Sequence, residues 1–282
     1  MSVRIIVDST FNLEKNFIEE NNILVIPLNV IIDGQSFRDG IDVSFMEVLD
    51  KADQGSTVST SQPSPMLFEE YFNKLKNEGA TDIICMTLSS TLSGTFQAAN
   101  IGKEEVTGVN IHLIDTLSTA IGAETFAHIL VRDLKEGMSV TDTVNKIEKI
   151  KHNGGILMSM DNLTALRKSG RINRIKATIG NLLRVKPVIE FLNGKVNINS
   201  KARTEKAVAE IIVEKMKELL AGVKGKIHIS IAYVQFIEKI THVLRRVEDE
   251  FPNVLIKVRD GITPVIAVNL GYGGFGISWC YE

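Results

Sequence analysis

The apolar positions in the first half of the chain form short runs separated by amphipathic stretches. Three β-branched runs are typical of strands buried on both faces: residues 3–7, 82–88 and 109–114. Residues 24–32, which end at the turn signal Asp33-Gly34, predict a further strand. Helical patterns lie between and after them, over residues 64–79, 93–105 and 118–136. Strands that alternate with helices through short loops predict a parallel sheet with crossover helices.

The pattern changes near residues 152–155, a polar and Gly-containing stretch. Beyond it, Asn193-Gly194 between two apolar runs predicts a β-hairpin, since this dipeptide suits a type I′ turn. Helices are expected over residues 175–183, 205–220 and 238–250, and strands over 156–160, 227–234, 254–258, 265–269 and 276–280. We predict an α/β protein with two domains. Residues 1–154 form an N-terminal, Rossmann-like domain with a parallel sheet, and residues 155–282 form an α+β domain with a mixed sheet.

Charge and composition narrow the possible functions of the 282-residue chain. Its 32 Lys and Arg residues are balanced by 34 Asp and Glu residues, so the net charge is −2. This balance argues against a nucleic-acid partner, which needs clustered basic excess. The sequence contains no apolar run of the roughly 18 residues that a membrane-spanning helix needs, and its first residues do not resemble a secretory signal. We therefore expect a cytoplasmic protein without stable membrane insertion.

Standard catalytic signatures are absent from the sequence. It contains no P-loop, no H-E-x-x-H, no C-x-x-C and no G-x-S-x-G motif. The run from Gly271 to Gly276 matches G-x-G-x-x-G, but the residues that follow are typical of a strand, whereas a nucleotide fingerprint needs a helix there. We expect no metal, no cofactor and no catalytic residue.

Hydroxyl-rich segments follow the predicted strands, at residues 8–10, 89–95 and 115–116. Ligands of open α/β sheets bind outside the carboxyl ends of the strands, so these segments should share one edge. Ser93-Gly94-Thr95 stands at a predicted helix start, which suits an anion. Neither this segment nor residues 58–64 contains Lys or Arg, which favours a single carboxylate, held by hydroxyls and amides, over a polyphosphate.

Several segments occur together in an order that is recognisable. They are Val7-Asp8-Ser9-Thr10, Asp39-Gly40, Thr60-Ser61-Gln62-Pro63-Ser64, Leu92-Ser93-Gly94-Thr95-Phe96-Gln97-Ala98-Ala99, Ser169-Gly170-Arg171-Ile172 and Lys201-Ala202-Arg203. Over about residues 3–280 they closely resemble the DegV family, which includes the fatty-acid-binding subunits of bacterial fatty acid kinase.

The resemblance implies a non-enzymatic protein that holds a long-chain fatty acid, such as palmitate, between its two domains. Thr60 and Ser93 would bind the carboxylate, and a partner kinase subunit that carries the ATP site would phosphorylate the bound acid. The fatty-acid-binding residues that we predict are Thr60, Ser61, Ser93, Gly94, Thr95 and Asn269. Asn269 stands where the family commonly has His, and an amide can hydrogen-bond but does not titrate near neutral pH.

Further residues are assigned to the phosphate, the partner and the tail. By their motif positions, Arg171 and Arg203 are predicted to contact the added phosphate or the kinase. Tail-lining residues are predicted from both domains: Ile121, Phe126, Ile156, Met158, Ile179, Leu183 and Phe275. Two alternatives stay open, namely a stand-alone phosphotransferase or hydrolase that uses Ser93 or Asp8, and a regulatory docking protein without lipid.

Overall fold

The computed structural model describes residues 2–161, 163–171 and 185–282. Strands in the described part of the chain are β1 (Val3–Asp8), β2 (Ile23–Ile26), β3 (Asn29–Ile32), β4 (Gln35–Arg38), β5 (Val58–Ser61), β6 (Asp82–Thr87), β7 (Asn110–Asp115), β8 (Gly154–Ser159), β9 (Lys186–Leu192), β10 (Lys195–Ala202), β11 (Ile227–Tyr233), β12 (Ile256–Asp260) and β13 (Phe275–Tyr281). Its α-helices are α1 (Lys15–Glu20), α2 (Phe45–Asp53), α3 (Pro65–Asn77), α4 (Thr95–Glu104), α5 (Ala120–Lys135), α6 (Val140–Ile150), α7 (Thr164–Lys168), α8 (Glu205–Leu220), α9 (Thr241–Glu250) and α10 (Pro264–Leu270).

A parallel four-stranded sheet organises the first half, in the order β2-β1-β6-β7. Its strands are nearly all apolar because helices cover both faces. The apolar core on one face includes side chains of α3 and α4, such as Phe68 and Ala99. The core on the other face includes side chains of α5 and α6, such as Phe126 and Ile147. The predicted parallel sheet with crossover helices is confirmed.

A mixed six-stranded sheet organises the second half, in the order β10-β9-β8-β13-β11-β12. β11 and β12 are parallel, whereas β11 with β13, β13 with β8, β8 with β9 and β9 with β10 are antiparallel. The predicted mixed sheet is confirmed. β8, the first strand of this sheet in chain order, begins at Gly154; the boundary between residues 154 and 155 stays a prediction.

Helices pack on both faces of the six-stranded sheet. The core on one face includes residues of α8 and α9, such as Ile212 and Val243. α5 contacts β8, β11 and β13 of this sheet, and its Phe126 belongs to the core against the parallel sheet. α5 therefore lies between the two sheets and joins their packing.

Two predicted strands are corrected. Residues 24–32 do not form one strand, because the chain leaves the parallel sheet at Pro27, which has no amide hydrogen to continue the ladder. β3 instead pairs with β4 and β5 in a separate antiparallel sheet. Residues 265–269 are not a strand but lie in α10. There Pro264 occupies the first helical position, and a short apolar run alone does not separate strand from helix. The predicted helix at 175–183 lies outside the described residues.

Candidate functional site

A cavity of about 130 Å³ lies where the two sheets meet. Its wall combines residues that follow β2, β6 and β7 with residues of β8, β9, β11 and β13 and of α10. The apolar part of the wall consists of Leu28, Leu88, Leu92, Ala120, Ile121, Ile156, Met158, Leu166, Ile189, Phe191, Val196, Ala232, Ile262, Val265, Ile266 and Leu270. The cavity thus draws its wall from both halves of the chain.

The polar side chains of the wall are few. Among the described residues they are Thr60, Ser61, Ser93, Thr119, Arg171 and Asn269. Five of these six are residues that the sequence singled out, and the structure brings them to one space although they are more than 200 positions apart at the extremes. Thr119 is the one that sequence reasoning missed.

Thr60, Ser61 and Ser93 meet because the elements that carry them are packed side by side. Thr60 and Ser61 end β5, where Ser61 pairs with Asn29, and α3 begins a few residues later behind its Ser64 cap. Ser93 lies just before α4. A Cβ on Gly102 of α4 would lie 2.5 Å from the carbonyl oxygen of Pro65 in α3. The two helices therefore approach as closely as they do because residue 102 has no side chain.

Thr95 orients the hydroxyl group of Ser93. Ser93 Oγ and Thr95 Oγ1 are 2.8 Å apart, and the Thr95 amide donates to Ser93 Oγ over 3.3 Å. Thr95 is fully buried, and neither it nor Gly94 lines the cavity. A Cβ on Gly94 would meet the Gln62 amide nitrogen at 3.1 Å, so glycine leaves the room in which the two motif loops touch. In this arrangement Gly94 and Thr95 support the site from outside the wall.

The two arginines lie in different places. Arg171 lines the cavity, and its Nη1 donates to the Ser169 carbonyl oxygen over 2.8 Å. Arg203 is exposed after β10 and does not line the cavity. The sequence predicts that an anion at the two hydroxyl-rich segments is held by hydroxyls and amides; the structure adds the Arg171 guanidinium, from a distant segment, to the same wall.

Asn269 reaches the cavity through α10, which is held in place by a buried carboxylate. Asp39 Oδ1 accepts from the Val265 amide in the first turn of α10 over 2.8 Å, and Asp39 Oδ2 accepts from Ser9 Oγ over 2.6 Å. Asp39 is 2% exposed, and burial raises its pKa above the ordinary value. The Asp39-Gly40 motif therefore connects the end of β1 to the helix that carries Asn269.

Asp8 serves the fold and does not line the cavity. Its Oδ1 accepts from the Thr10 amide over 2.9 Å and from Thr10 Oγ1 over 2.6 Å, while Oδ2 accepts from the Leu88 amide over 2.6 Å. These bonds join the carboxyl ends of β1 and β6. Burial raises the pKa of Asp8 to about 6. An acid that is enclosed and accepts three hydrogen bonds within the fold does not line the cavity, which counts against a catalytic role.

The raised pKa of Asp8 predicts a specific pH dependence of stability. Native protein holds a proton on Asp8 up to about pH 6 that unfolded protein releases near pH 4, so the Asp8 contribution to the free energy of unfolding falls as pH rises through that window and is constant above it. As the pH rises from about 4 to about 6, the free energy of unfolding of the native chain relative to that of Asp8→Asn should fall by about 3 kcal/mol. Urea unfolding at several pH values measures it, with the exposed Asp53→Asn as control; a constant difference would contradict the assignment.

The predicted tail-lining residues are only partly in the wall. Ile121, Ile156 and Met158 line the cavity. Phe126 packs between α5 and the parallel sheet, and Phe275 packs in the core under α8, since its neighbour Gly276 is the residue of β13 that faces the cavity. Ile179 and Leu183 lie outside the described residues.

Sequence reasoning identified Asn269 but missed the apolar residues that α10 contributes to the wall. Val265, Ile266 and Leu270 line the cavity, and the stretch that contains them was expected to be a strand. The signal that identifies the helix is Thr263-Pro264, a cap position followed by the residue most favoured at a first helical turn.

The cavity is small when its side chains have the conformations seen in this structure. A cavity of about 150 Å³ holds a benzene-sized molecule, and the present one measures about 130 Å³. A longer apolar ligand must therefore move side chains of the wall apart. Within the part of the chain that the structure describes, no helix combines the length and apolarity needed to cross a membrane.

Comparison with known proteins connects this geometry to a family. The sequence model of the DegV family, described as "Uncharacterised protein, DegV family", matches residues 2–282. The DegV domain-containing protein SAR1438 of Staphylococcus aureus (strain MRSA252) is 32% identical over 273 residues, which cover 97% of this chain and 96% of that protein.

Solved structures of the same family share the fold over the full length. A DegV family protein of Thermus thermophilus, described by its fatty acid binding, has a TM-score of 0.92 at 26% identity, with 100% of both chains covered. The fatty acid binding DegV family protein SAG1342 of Streptococcus agalactiae has a TM-score of 0.89 at 26% identity, with 100% of this chain and 99% of that one covered. The resemblance seen in the motifs is thus confirmed, and the chain belongs to the DegV family.

Proposed function

We propose that this protein binds a long-chain fatty acid, such as palmitate, with its carboxylate toward Thr60, Ser61, Ser93 and Arg171 and its tail along the apolar wall. The observation that carries the proposal is the composition of one cavity: a few hydroxyls and one guanidinium in a wall that is otherwise almost wholly apolar. Its relatives of known structure that are described as fatty acid binding support the ligand class.

The tail and the carboxylate of such a ligand contribute differently to the free energy of binding. A sixteen-carbon acid carries about 14 methylenes, and burial of each contributes about 0.8 kcal/mol, so the gross transfer free energy is roughly 11 kcal/mol before the costs of association. A carboxylate in an apolar cavity is costly unless donors reach it. The hydroxyls and Arg171 supply those donors, so the head group sets orientation while the tail supplies most of the affinity.

The binding test uses the whole chain. Protein is stripped of lipid and titrated with palmitate by calorimetry, and protein purified without stripping is extracted and analysed by mass spectrometry. We expect a stoichiometric complex and a long-chain acid in the extract. Absence of both would overturn the proposal, and turnover of an ester or of ATP by the isolated chain would favour an enzyme instead.

We further propose that the bound acid is presented to an ATP-binding kinase subunit that forms an acyl phosphate. Two basic residues support this: Arg171 lies in the cavity wall, where it offers charge to a carboxylate or phosphate, and Arg203 is exposed on the surface, where a partner can reach it. Because such a partner consumes ATP, the proposed function belongs in the cytoplasm.

Arg203 provides the test of the partner contact. We expect Arg203→Ala to lower kinase-coupled acyl phosphate formation about tenfold while palmitate affinity is unchanged, because the residue lies outside the cavity. The exposed Arg245→Ala on α9 is the matched control. A wild-type rate for Arg203→Ala would remove Arg203 from the interface.

A further inference from the structure

A second cavity lies between α5 and the last two strands on one side of the six-stranded sheet. We call it the α5 cleft. It measures about 580 Å³, and its wall consists of the second half of α5, the first residues of β11 and β12, and the residues directly before these two strands. It shares no wall residue with the cavity described above. A volume of this size accommodates a small organic molecule.

Basic side chains form most of the polar part of this wall. They are His128, Arg132, Lys226, His228 and Lys257. Among the described residues, the wall contains no Asp or Glu. The whole chain carries a net charge of −2, so this wall differs from the average composition of the protein. A cleft lined by charges of one sign concentrates ligands of the opposite sign.

The sheet brings the basic residues of its strands to one face. Side chains alternate between the two faces along a strand, so His228 and Ser230 of β11 point the same way. Ser230 is paired with Lys257 of the parallel neighbour β12, which places Lys257 on that face as well. The intervening Ile229 belongs to the apolar core with α8 and α9. The polar face therefore looks toward α5 and not toward that core.

Three of the five basic side chains already have acidic partners. Arg132 donates to Glu282 over 2.6 Å, His228 Nε2 lies 2.9 Å from the same carboxylate, and His128 Nε2 lies 3.2 Å from Glu124. The side chains of Glu282 and Glu124 are only 8% and 2% exposed, and neither residue lines the cleft. These acids hold the wall together from behind it and leave no negative charge at its surface.

The remaining two basic side chains carry charge that nothing cancels. Lys226 and Lys257 form no ion pair with any described residue. Burial lowers the pKa of His228, and the positive charges of Lys226 and Arg132 lower it further, against the opposing effect of Glu282. The potential at this wall is therefore positive. Two ammonium groups without partners suit an anion with more than one negative charge, and lysine is a common ligand of phosphate.

The rest of the wall is largely apolar. Ile129 of α5 and Val254 and Leu255 before β12 line the cleft beside the lysines. Leu255 is 82% exposed, which is unusual for so large an apolar side chain. A bare inorganic anion makes no use of these residues, whereas a molecule with an apolar or aromatic part covers them.

We infer that the α5 cleft binds a phosphorylated small molecule with an apolar or aromatic body. Its phosphate contacts the ammonium groups of Lys226 and Lys257, and its body packs on Ile129, Val254 and Leu255. This site goes beyond the proposed binding of a fatty acid, because the two cavities have separate walls.

The experiment titrates the whole chain by calorimetry with two matched pairs of probes, namely ADP with adenosine and phenyl phosphate with inorganic phosphate. We expect ADP and phenyl phosphate to bind, and the second member of each pair to bind at least tenfold more weakly. Lys226→Ala/Lys257→Ala should bind ADP about 100-fold more weakly, because it removes two contacts to a charged group, and should keep the native palmitate affinity. Lys224→Ala, exposed and outside the wall, is the matched control.

Several results would overturn the inference. If neither ADP nor phenyl phosphate binds the native chain, the cleft is not a phosphate site. If the double lysine variant binds ADP as the native chain does, or if Lys224→Ala weakens ADP binding equally, the ligand is not held by this wall. If inorganic phosphate binds as tightly as phenyl phosphate, the inferred contact with an apolar body is wrong.

Discussion

The double variant Thr60→Ala/Ser93→Ala should bind palmitate about 100-fold more weakly than the native chain, or worse. Each hydroxyl is expected to donate to the charged carboxylate, and a hydrogen bond to a charged group contributes about 1.5–3 kcal/mol. Loss of two such bonds should weaken the free energy of binding by at least about 3 kcal/mol, which corresponds to an affinity lower by roughly 100-fold. Calorimetric titration of lipid-free protein measures the effect.

The matched control for this variant removes two hydroxyls from the same segments. Ser59 lies on β5 next to Thr60, and Ser90 lies in the same loop as Ser93, yet neither lines the cavity. Ser59→Ala/Ser90→Ala should therefore bind palmitate as the native chain does. The variant at the site also loses the bond between Ser93 and Thr95, so its midpoint of thermal unfolding should fall slightly. Native affinity in the Thr60/Ser93 variant would show that the head group lies elsewhere.

Gly276→Leu should weaken palmitate binding strongly by filling the cavity. Gly276 is part of the wall, and a Cβ there would meet Ile156 at 3.6 Å and Met158 at 3.8 Å, which are ordinary contacts. The added side chain therefore fits the backbone but occupies space that an acyl tail needs in a cavity of about 130 Å³. We expect a loss of about 100-fold or more in palmitate affinity, because several methylenes lose their place.

A neighbour on the same strand provides the control for Gly276→Leu. Ile277 is fully buried on the opposite face of β13, in the core under α8 and α9. Ile277→Val should lower the free energy of unfolding by about 0.5–1.5 kcal/mol and leave palmitate affinity unchanged. Gly276→Ala should give an intermediate loss of binding with the native fold. Native affinity in a folded Gly276→Leu protein would place the tail outside this cavity.

Local chemistry explains why much of the fold could be predicted. The helix start at Ser64-Pro65 and the turn at Asn193-Gly194 are set by residues that are neighbours in sequence, and both lie where they were expected. The stretch 265–269 was misjudged, because its apolar residues suit a buried strand as well as a buried helix, and Pro264 decides for the helix.

The site could be predicted only in part, because local signals mark its polar residues but not its apolar ones. Thr60, Ser61 and Ser93 belong to hydroxyl-rich segments without Lys or Arg, and all three line the cavity. The residues that contact the tail are harder to predict. A strand exposes alternate residues to opposite faces, and the sequence does not show which of the two faces lines a cavity. Gly276 faces the cavity and Phe275 faces the core for that reason.

By itself, the sequence determined the alternation of strands and helices, the change to a mixed sheet in the second half, and the motifs that identify the family. These properties depend on spacing and on residues close together in the chain. The tertiary structure alone decided that Arg171 joins the hydroxyls, that α10 completes the wall, and that Thr119 and Asn269 each keep one atom unpartnered. Such properties depend on contacts between segments far apart in sequence, because burial and hydrogen-bond satisfaction are set only when those segments pack together.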